Sequence, residues 1–213
     1  MLITIIFSII FYFLGSFPTS YILGKKIQQI DILTQGSMHS GLSNIYKFSS
    51  KKSILLILFV DVLIKGFVPT SLLIIFFDEL IFISVFLIIG HNWSVFLKFK
   101  GGKGLSVSIG ILAGINIFLF IILFVSFLFF WIILKFKDSS MPWIFSFLFT
   151  VAAMIFDSLF FNLFSESIFK MSNYLVIVVF LLLLFRRILG NGEYNNLNRK
   201  ILFNRLIFDR DEM

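Results

Sequence analysis

A run of lysine and glycine at residues 98–104 is the part of the sequence best suited to chemistry. It reads Lys-Phe-Lys-Gly-Gly-Lys-Gly and holds three lysines and three glycines. Glycine has no Cβ, so its backbone can approach a ligand closely, and successive N–H groups in such a turn form a concave anion site. Lys103 adds a mobile positive charge, and the apolar helix that we predict from Leu105 adds the N–H groups of its first turn. The run therefore predicts a phosphate site at a membrane surface.

A simpler interpretation of the same run stays open. Lysines at the end of a membrane helix commonly set its orientation, and glycines commonly only turn the chain. The run is also not the nucleotide-binding pattern G-x-x-x-x-G-K-[ST], because Gly104 follows Lys103. On the lysines alone this simpler interpretation is favoured, and the run is compatible with an anion site without indicating a nucleotide.

A second polar cluster lies in a loop that we predict over residues 24–52. Such a length is unusual for a connection without function. Hydroxyl, amide and ammonium groups that could hold a phosphate or a polyol are those of Ser37, Ser43, Asn44 and Lys47. Loops are rich in such residues for conformational reasons as well, so the cluster alone does not establish a site.

Two opposite charges, Asp61 and Lys65, lie inside an apolar run that we predict to span the membrane over residues 53–77. They are four residues apart and therefore share one face of a helix. Each would cost roughly 2.5–3.5 kcal/mol near the bilayer centre, so we expect them to face protein or water, and each other. The pair is either part of a functional site or a structural contact that fixes helix packing.

The composition that surrounds these residues is that of an integral membrane protein. The mean hydropathy is +1.05, and only 14% of the 213 residues are charged, whereas a soluble domain has about 25%. The net charge of +7 would suit nucleic acid in a soluble chain, but here we attribute it to cytoplasmic loops and expect no nucleic-acid partner. There is no cysteine, and His39 and His91 are the only histidines, so we expect neither a metal nor another cofactor.

The distribution of charge decides the number of spans. The apolar run 105–134 would form about 45 Å of helix, whereas the hydrocarbon core is about 30 Å thick, and Gly114-Ile115-Asn116 interrupts the run. If this run crosses twice, most basic residues fall on one side, in loops 24–52, 98–104 and 135–142 and in the tail 190–213.

We therefore predict an all-α fold, a polytopic membrane helix bundle of about seven spans within a single integral membrane domain, residues 1–213. The N-terminus lies outside and the C-terminus inside. Loops 24–52 and 98–104 then face the cytoplasm as substrate loops, and residues 190–213 form a basic C-terminal tail.

Four ordered segments resemble the bacterial membrane-integral acyl-phosphate:glycerol-3-phosphate acyltransferases of the PlsY type. They are Gly15-Ser16-Phe17-Pro18-Thr19, Asp31 with Gly36-Ser37, Asp61 with Lys65-Gly66, and Gly90-His91 with Phe99–Gly104. The resemblance implies seven spans and transfer of a fatty acyl group from acyl phosphate to the 1-hydroxyl of glycerol 3-phosphate. The products would be lysophosphatidate and phosphate, in the first step of phospholipid synthesis.

The same resemblance implies roles for individual residues. Catalytic roles would fall to Ser37, Lys103 and His91, although for His91 the residue chemistry favours a structural hydrogen-bonding role at the helix end over a role as the base. Substrate and phosphate binding would fall to Ser43, Asn44, Lys47, Lys100, Gly101, Gly102 and Gly104, with Asp61 and Lys65 as structural support. Expected partners are acyl phosphate, glycerol 3-phosphate, membrane lipid and the enzyme that makes the acyl phosphate, at an active site on the cytoplasmic face of the bacterial inner membrane.

Two departures from the family pattern keep other functions open. Met38 and His39 stand where the family has glycine and asparagine, and Leu181–Leu184 occupy the stretch where it has a histidine and an asparagine. An inactive paralogue that acts as a partner subunit is therefore one alternative. A small transporter for an anionic solute is another, since it would use the same basic loop and the same intramembrane pair.

Overall fold

The computed structural model describes residues 2–27, 29–35, 38–46, 49–135, 140–160, 167–190 and 199–208, and within those ranges every regular element is helical. The all-α prediction is confirmed there. Ser37 and Lys47, both assigned to the site from the sequence, lie outside the described residues, as do residues 136–139 of the loop 135–142 and residues 191–198 and 209–213 of the tail 190–213.

The first half of the chain folds into short helices and three longer helical runs. The elements are α1 (Leu2–Ser16), α2 (Thr19–Ile27), α3 (Leu42–Ile45), α4 (Lys51–Leu58), a π-helical segment (Phe59–Phe67), α5 (Val68–Phe76), a 3₁₀ segment (Asp78–Ser84), α6 (Val85–Asn92) and a 3₁₀ turn (Val95–Leu97). The first predicted span is broken at Phe17, because Pro18 disfavours helical backbone in the residue before it.

The remaining helices are mostly longer. They are α7 (Leu105–Ile115), α8 (Ile117–Leu134), α9 (Ser140–Phe160), α10 (Ser167–Leu189) and α11 (Arg199–Phe208). The predicted interruption of the run 105–134 is confirmed. Asn116 has extended backbone, and its side-chain Oδ1 accepts a 2.7 Å hydrogen bond from the N–H of Phe118, which caps α8.

Three helical runs in the described part are long and apolar enough to cross a bilayer, namely Leu2–Ile27, Lys51–Phe76 and Asp78–Leu97. Shorter apolar helices cover Leu105–Ile115, Ile117–Ile133 and Met141–Asp157. These lengths fit an integral membrane protein. The count of seven spans and the orientation of the termini stay predictions.

Glycine pairs let the helices that flank loop 98–104 approach their neighbours closely. A Cβ on Gly90 of α6 would overlap the backbone of Tyr12 in α1, and one on Gly110 of α7 would overlap the backbone of Val62 in the π-helical segment. Small residues at a crossing allow backbones to touch, which is how helices pack in membranes. These crossings fix the end of α6 and the start of α7, and thereby the two ends of the loop.

Candidate functional site

The loop 98–104 is held in one shape by its own glycines. Gly104 has φ +79°, a conformation that favours glycine, and it precedes the first turn of α7. A side chain on Gly102 would overlap the His91 ring, and the Gly102 N–H donates a 2.9 Å hydrogen bond to the His91 carbonyl. The glycines of this loop are therefore required by close backbone approach, in addition to any ligand.

A buried arginine fastens the same loop to the end of α10. The Arg186 guanidinium donates to the carbonyls of Gly102 (3.1 Å), Gly101 (3.3 Å) and Gly190 (2.6 Å). It also lies over the Trp93 ring at 5.5 Å from the centroid, and the residue is only 1% exposed. These bonds engage the carbonyls of Gly101 and Gly102, while the Gly102 N–H is bonded to the His91 carbonyl, so protein contacts fix the backbone of the loop on both sides.

The second polar loop lies against the first. The Ser40 N–H donates to the Gly101 carbonyl at 3.3 Å. The Asn44 amide nitrogen contacts the carbonyls of Ile32 (2.8 Å), Gln35 (3.0 Å) and His39 (3.1 Å). Asn44 therefore stabilises the loop that presents its neighbour Ser43, and its predicted contact with the substrate stays a prediction.

An open cavity lies beside Lys103. Three of its lining residues are polar, and these are Ser43, Lys103 and Arg187. The others are apolar, namely Leu105, Trp143, Ile144, Phe147, Phe180, Leu183 and Leu184. The cavity thus combines two cations and a hydroxyl with an apolar wall, which suits a ligand that has an anionic head and a hydrocarbon tail.

The structure brings some of the assigned residues together and separates others. Ser43 and Lys103 share the cavity, whereas Lys100 is exposed in the loop and does not line it. His91 is buried behind Gly102 and is not among the lining residues either. This arrangement supports the structural interpretation of His91 over a role as a base.

Asp61 and Lys65 form the intramembrane pair that their spacing predicts. Lys65 Nζ lies 2.6 Å from Asp61 Oδ1, and both side chains are 1% exposed. The same ammonium donates a 2.6 Å hydrogen bond to the carbonyl of Phe17, where α1 is interrupted. The pair therefore holds the break in the first run against the second run.

Arg187 and Trp143 line the cavity but were not assigned to the site from the sequence. The Arg187 guanidinium Nε donates to the carbonyl of Arg205 in α11 at 2.9 Å, which fixes the side chain beside the cavity. Two adjacent arginines after a long apolar helix were the available signal, and orientation in the membrane explained them equally well. Trp143 gave no signal among the many aromatic residues of this chain.

The leucines noted as departures from the family pattern are part of this cavity. Leu183 and Leu184 line it, while Leu181 is 56% exposed. In the other departing stretch, His39 is buried and Met38 is exposed with φ +54°. The departures therefore make one wall of the cavity more apolar than the family pattern predicts.

The family model for glycerol-3-phosphate acyltransferase matches residues 5–192. The chain is 37% identical over 114 residues to the glycerol-3-phosphate acyltransferase of Endomicrobium trichonymphae, covering 52% of this chain and 57% of that protein. The corresponding Fusobacterium nucleatum protein is 34% identical over 108 residues, covering 49% and 55%. The Staphylococcus haemolyticus protein is 30% identical over 148 residues, covering 64% and 72%. The chain thus spans little more than half the length of the first two relatives.

Two solved structures of PlsY (YgiH), an integral membrane glycerol 3-phosphate acyltransferase, have a similar fold. The glycerol 3-phosphate form has a TM-score of 0.73 at 22% identity and covers 86% of this chain and 88% of that one. The lysophosphatidic acid form has a TM-score of 0.73 at 24% identity and covers 98% and 94%. At such identities the likeness shows the fold, while the sequence matches show the relationship. The chain is an integral membrane protein that belongs to the glycerol-3-phosphate acyltransferase family.

Proposed function

We propose that this protein transfers a fatty acyl group from acyl phosphate to the 1-hydroxyl of glycerol 3-phosphate, at the cytoplasmic face of the bacterial inner membrane. The observation that supports this most is the cavity in which Lys103, Arg187 and Ser43 meet an apolar wall. Both substrates have phosphate groups, and one has a long chain, so one amphipathic cavity suits the donor. Family membership supports glycerol 3-phosphate as the acceptor.

The reaction needs an attacking hydroxyl, a proton acceptor and stabilisation of developing negative charge. The 1-hydroxyl oxygen would attack the acyl carbon, a new C–O bond would form, and the bond from that carbon to the phosphate oxygen would break. Phosphate leaves as an anion and can itself take the hydroxyl proton, so the scheme requires no protein base. Lys103 and Arg187 would stabilise the charge that grows on the leaving phosphate.

The glycerol 3-phosphate site is assigned to the loop 38–46 and its continuation. Ser43 lies at the cavity, and Ser37 and Lys47 stay proposed contacts from the family resemblance. Residues Gly101, Gly102 and Gly104 shape the backbone beside Lys103, and Lys100 is a proposed electrostatic contributor from the exposed face of the loop. The scheme uses neither a metal nor a cofactor.

The topology belongs to the same proposal. Seven spans, with the N-terminus outside and the C-terminus inside, would put the loops 24–52 and 98–104 in the cytoplasm, where phosphorylated substrates are found. The enzyme that makes the acyl phosphate is the partner that this arrangement would suit, because its product would enter from that side.

The test uses purified protein in lipid, with palmitoyl phosphate and glycerol 3-phosphate as substrates and release of phosphate and lysophosphatidate as readouts. We expect turnover that needs both substrates and falls about 100-fold or more in Lys103→Met, the usual effect of losing one charge-stabilising donor. Lys98→Met is the matched control, since Lys98 is an exposed lysine of the same loop that does not line the cavity. Activity in Lys103→Met equal to that in Lys98→Met would contradict the proposal. Turnover with palmitoyl coenzyme A as the donor, but not with palmitoyl phosphate, would contradict it as well.

A second candidate is a member of the family that binds the substrates without turnover. Leu183 and Leu184 favour it, because they line the cavity where the family pattern has polar residues nearby. This candidate predicts tight binding of lysophosphatidate by wild-type protein in which no phosphate is released. Measured turnover would eliminate it.

A further inference from the structure

The cavity has a polar end and an aromatic end, and α10 connects them. Phe180, Leu184 and Arg187 recur at the spacing of one helix face, and Phe180 lies two turns from Arg187, about 10 Å at 1.5 Å per residue. At the aromatic end the Phe180 ring stacks on Phe147 of α9, with centroids 5.7 Å apart and an angle of 13° between the planes. Phe147 is 1% exposed and Phe180 8%, and both line the cavity, so the ring pair forms a buried part of its wall.

The aromatic wall is braced from outside the cavity. Trp143 lies four residues before Phe147 on α9, and its ring stacks on Phe127 of α8 with centroids 4.1 Å apart. Phe127 is itself 5% exposed and does not line the cavity. A ring held in this way has little freedom to turn aside for a larger ligand, because close-packed interiors resist changes in volume. The Trp143 ring in turn lies 6.5 Å from the Phe147 ring, centroid to centroid, so the Phe147–Phe180 pair is supported through Trp143 and Phe127.

We propose that the Phe147–Phe180 pair closes the cavity at the end opposite the cations and thereby limits the length of the acyl chain that this protein accepts. The inference rests on the acyl transfer proposed above, since it needs a chain whose phosphate-bearing end lies at Lys103 and Arg187. Methylene groups that fit between the cations and the ring pair are buried. Those beyond it must leave the cavity, and each methylene left unburied forfeits about a fourfold gain in binding.

The occupant is a single acyl chain with a phosphate at one end. Acyl phosphate and lysophosphatidate share this chemistry, so the same boundary should apply to the donor and to the product. The two sources are separable, because only the donor supports turnover, whereas the product can be studied by binding alone.

The first experiment compares saturated acyl phosphates of six to sixteen carbons by kcat/KM, so that the shortest chain fits between the cations and the ring pair and the longest does not. In Phe147→Ala, the ratio of the longest to the shortest substrate should rise about tenfold, the effect of burying about two more methylenes. Phe149→Ala is the matched control, because Phe149 is on the same helix, is 52% exposed and packs against Phe130 outside the cavity. Its ratio should equal that of the wild-type protein.

A substitution that makes the cavity smaller gives the opposite prediction. It also tests the proposal if Phe147→Ala fails to fold. Leu184→Phe adds volume between the cations and the ring pair, so the ratio of the longest to the shortest substrate should fall severalfold. Unchanged ratios in both Phe147→Ala and Leu184→Phe, in protein that transfers acyl groups, would overturn the proposal. A change of the same size in Phe149→Ala would overturn it as well.

The second experiment measures binding without turnover and so separates the two proposals. In a Trp93→Phe, Trp131→Phe background, Trp143 is the remaining tryptophan. Lysophosphatidate brominated at the chain end should quench its fluorescence more strongly with a short chain than with a long one, and Phe147→Ala should shift the strongest quenching to a longer chain. Quenching in this order without acyl transfer would refute the proposed function and retain the length limit. Acyl transfer without any quenching would refute the length limit alone.

Discussion

The two halves of the chain are packed by different means. In residues 2–115 helices meet through backbone atoms at glycine pairs, and polar side chains bridge them. Tyr12 donates to the Trp93 carbonyl at 2.8 Å, and Ser94 donates to the Ser16 carbonyl at 2.6 Å. In residues 117–208 aromatic rings make many of the contacts between helices, as where Phe130 of α8 meets Phe145 of α9 at 5.6 Å.

This difference indicates which half keeps the site in a fixed geometry and which half tolerates changes of side chain. Contact through backbone atoms leaves no slack, because no side-chain rotation can relieve an overlap. Ring contacts tolerate exchange for other apolar groups of similar volume at small cost. The loop 98–104 lies between helices that pack through backbone contacts at glycines. The apolar wall of the cavity, in contrast, consists mostly of side chains that pack as rings and other apolar groups. We therefore expect side chains added at the glycine crossings of the first half to abolish folding or site geometry, and exchanges of similar apolar volume in the second half to change stability slightly.

The largest effect should come from Gly110→Leu. The added side chain would overlap the backbone of Val62, and the crossing of α7 with the π-helical segment would have to open. We expect no folded protein in detergent by size-exclusion chromatography. Ala113→Leu on the same helix is the matched control, because Ala113 is half-buried, and it should elute as the wild type does. A folded Gly110→Leu protein would show that this crossing has more slack than the backbone contact indicates.

A smaller loss should follow from breaking the buried ion pair. Asp61→Leu leaves the Lys65 ammonium buried without its counter-charge, which commonly costs about 3–5 kcal/mol. The double variant Asp61→Leu, Lys65→Met replaces both charges by apolar groups and should recover much of that loss. Thermal unfolding of the two single variants and the double variant measures this. The single variants are Asp61→Leu and Lys65→Met. If the loss of stability in the double variant equals the sum of their two losses, the pair does not act as a unit.

The smallest effect should come from Phe127→Leu in the second half. The substitution keeps an apolar side chain against Trp143 and should cost less than about 1.5 kcal/mol. Phe127→Ala, which removes the ring and leaves a void, should cost about 3–5 kcal/mol. If Phe127→Leu were as damaging as Gly110→Leu, the two halves would not differ in the way proposed.

The sequence determined what depends on local pattern. Composition established the membrane class, the four-residue spacing of Asp61 and Lys65 predicted their contact, and Asn116 marked the interruption between α7 and α8. Each of these follows from neighbours along one helix or from the cost of burying a charge in lipid. The glycine-lysine run also indicated where an anion could be held.

Only the tertiary structure decided what that loop faces. Arg186 lies 84 residues from Gly102, and no periodic pattern relates the two. Likewise Trp143, Phe180 and Arg187 line one cavity with Lys103. Trp143 is on α9 and the other two are on α10, and both helices are nearly uniformly apolar and far from Lys103 in the sequence. In such stretches every helix face is apolar, because lipid and protein interior are equally apolar neighbours. The face that each helix turns toward the cavity is therefore fixed by packing between helices and not by hydrophobic pattern.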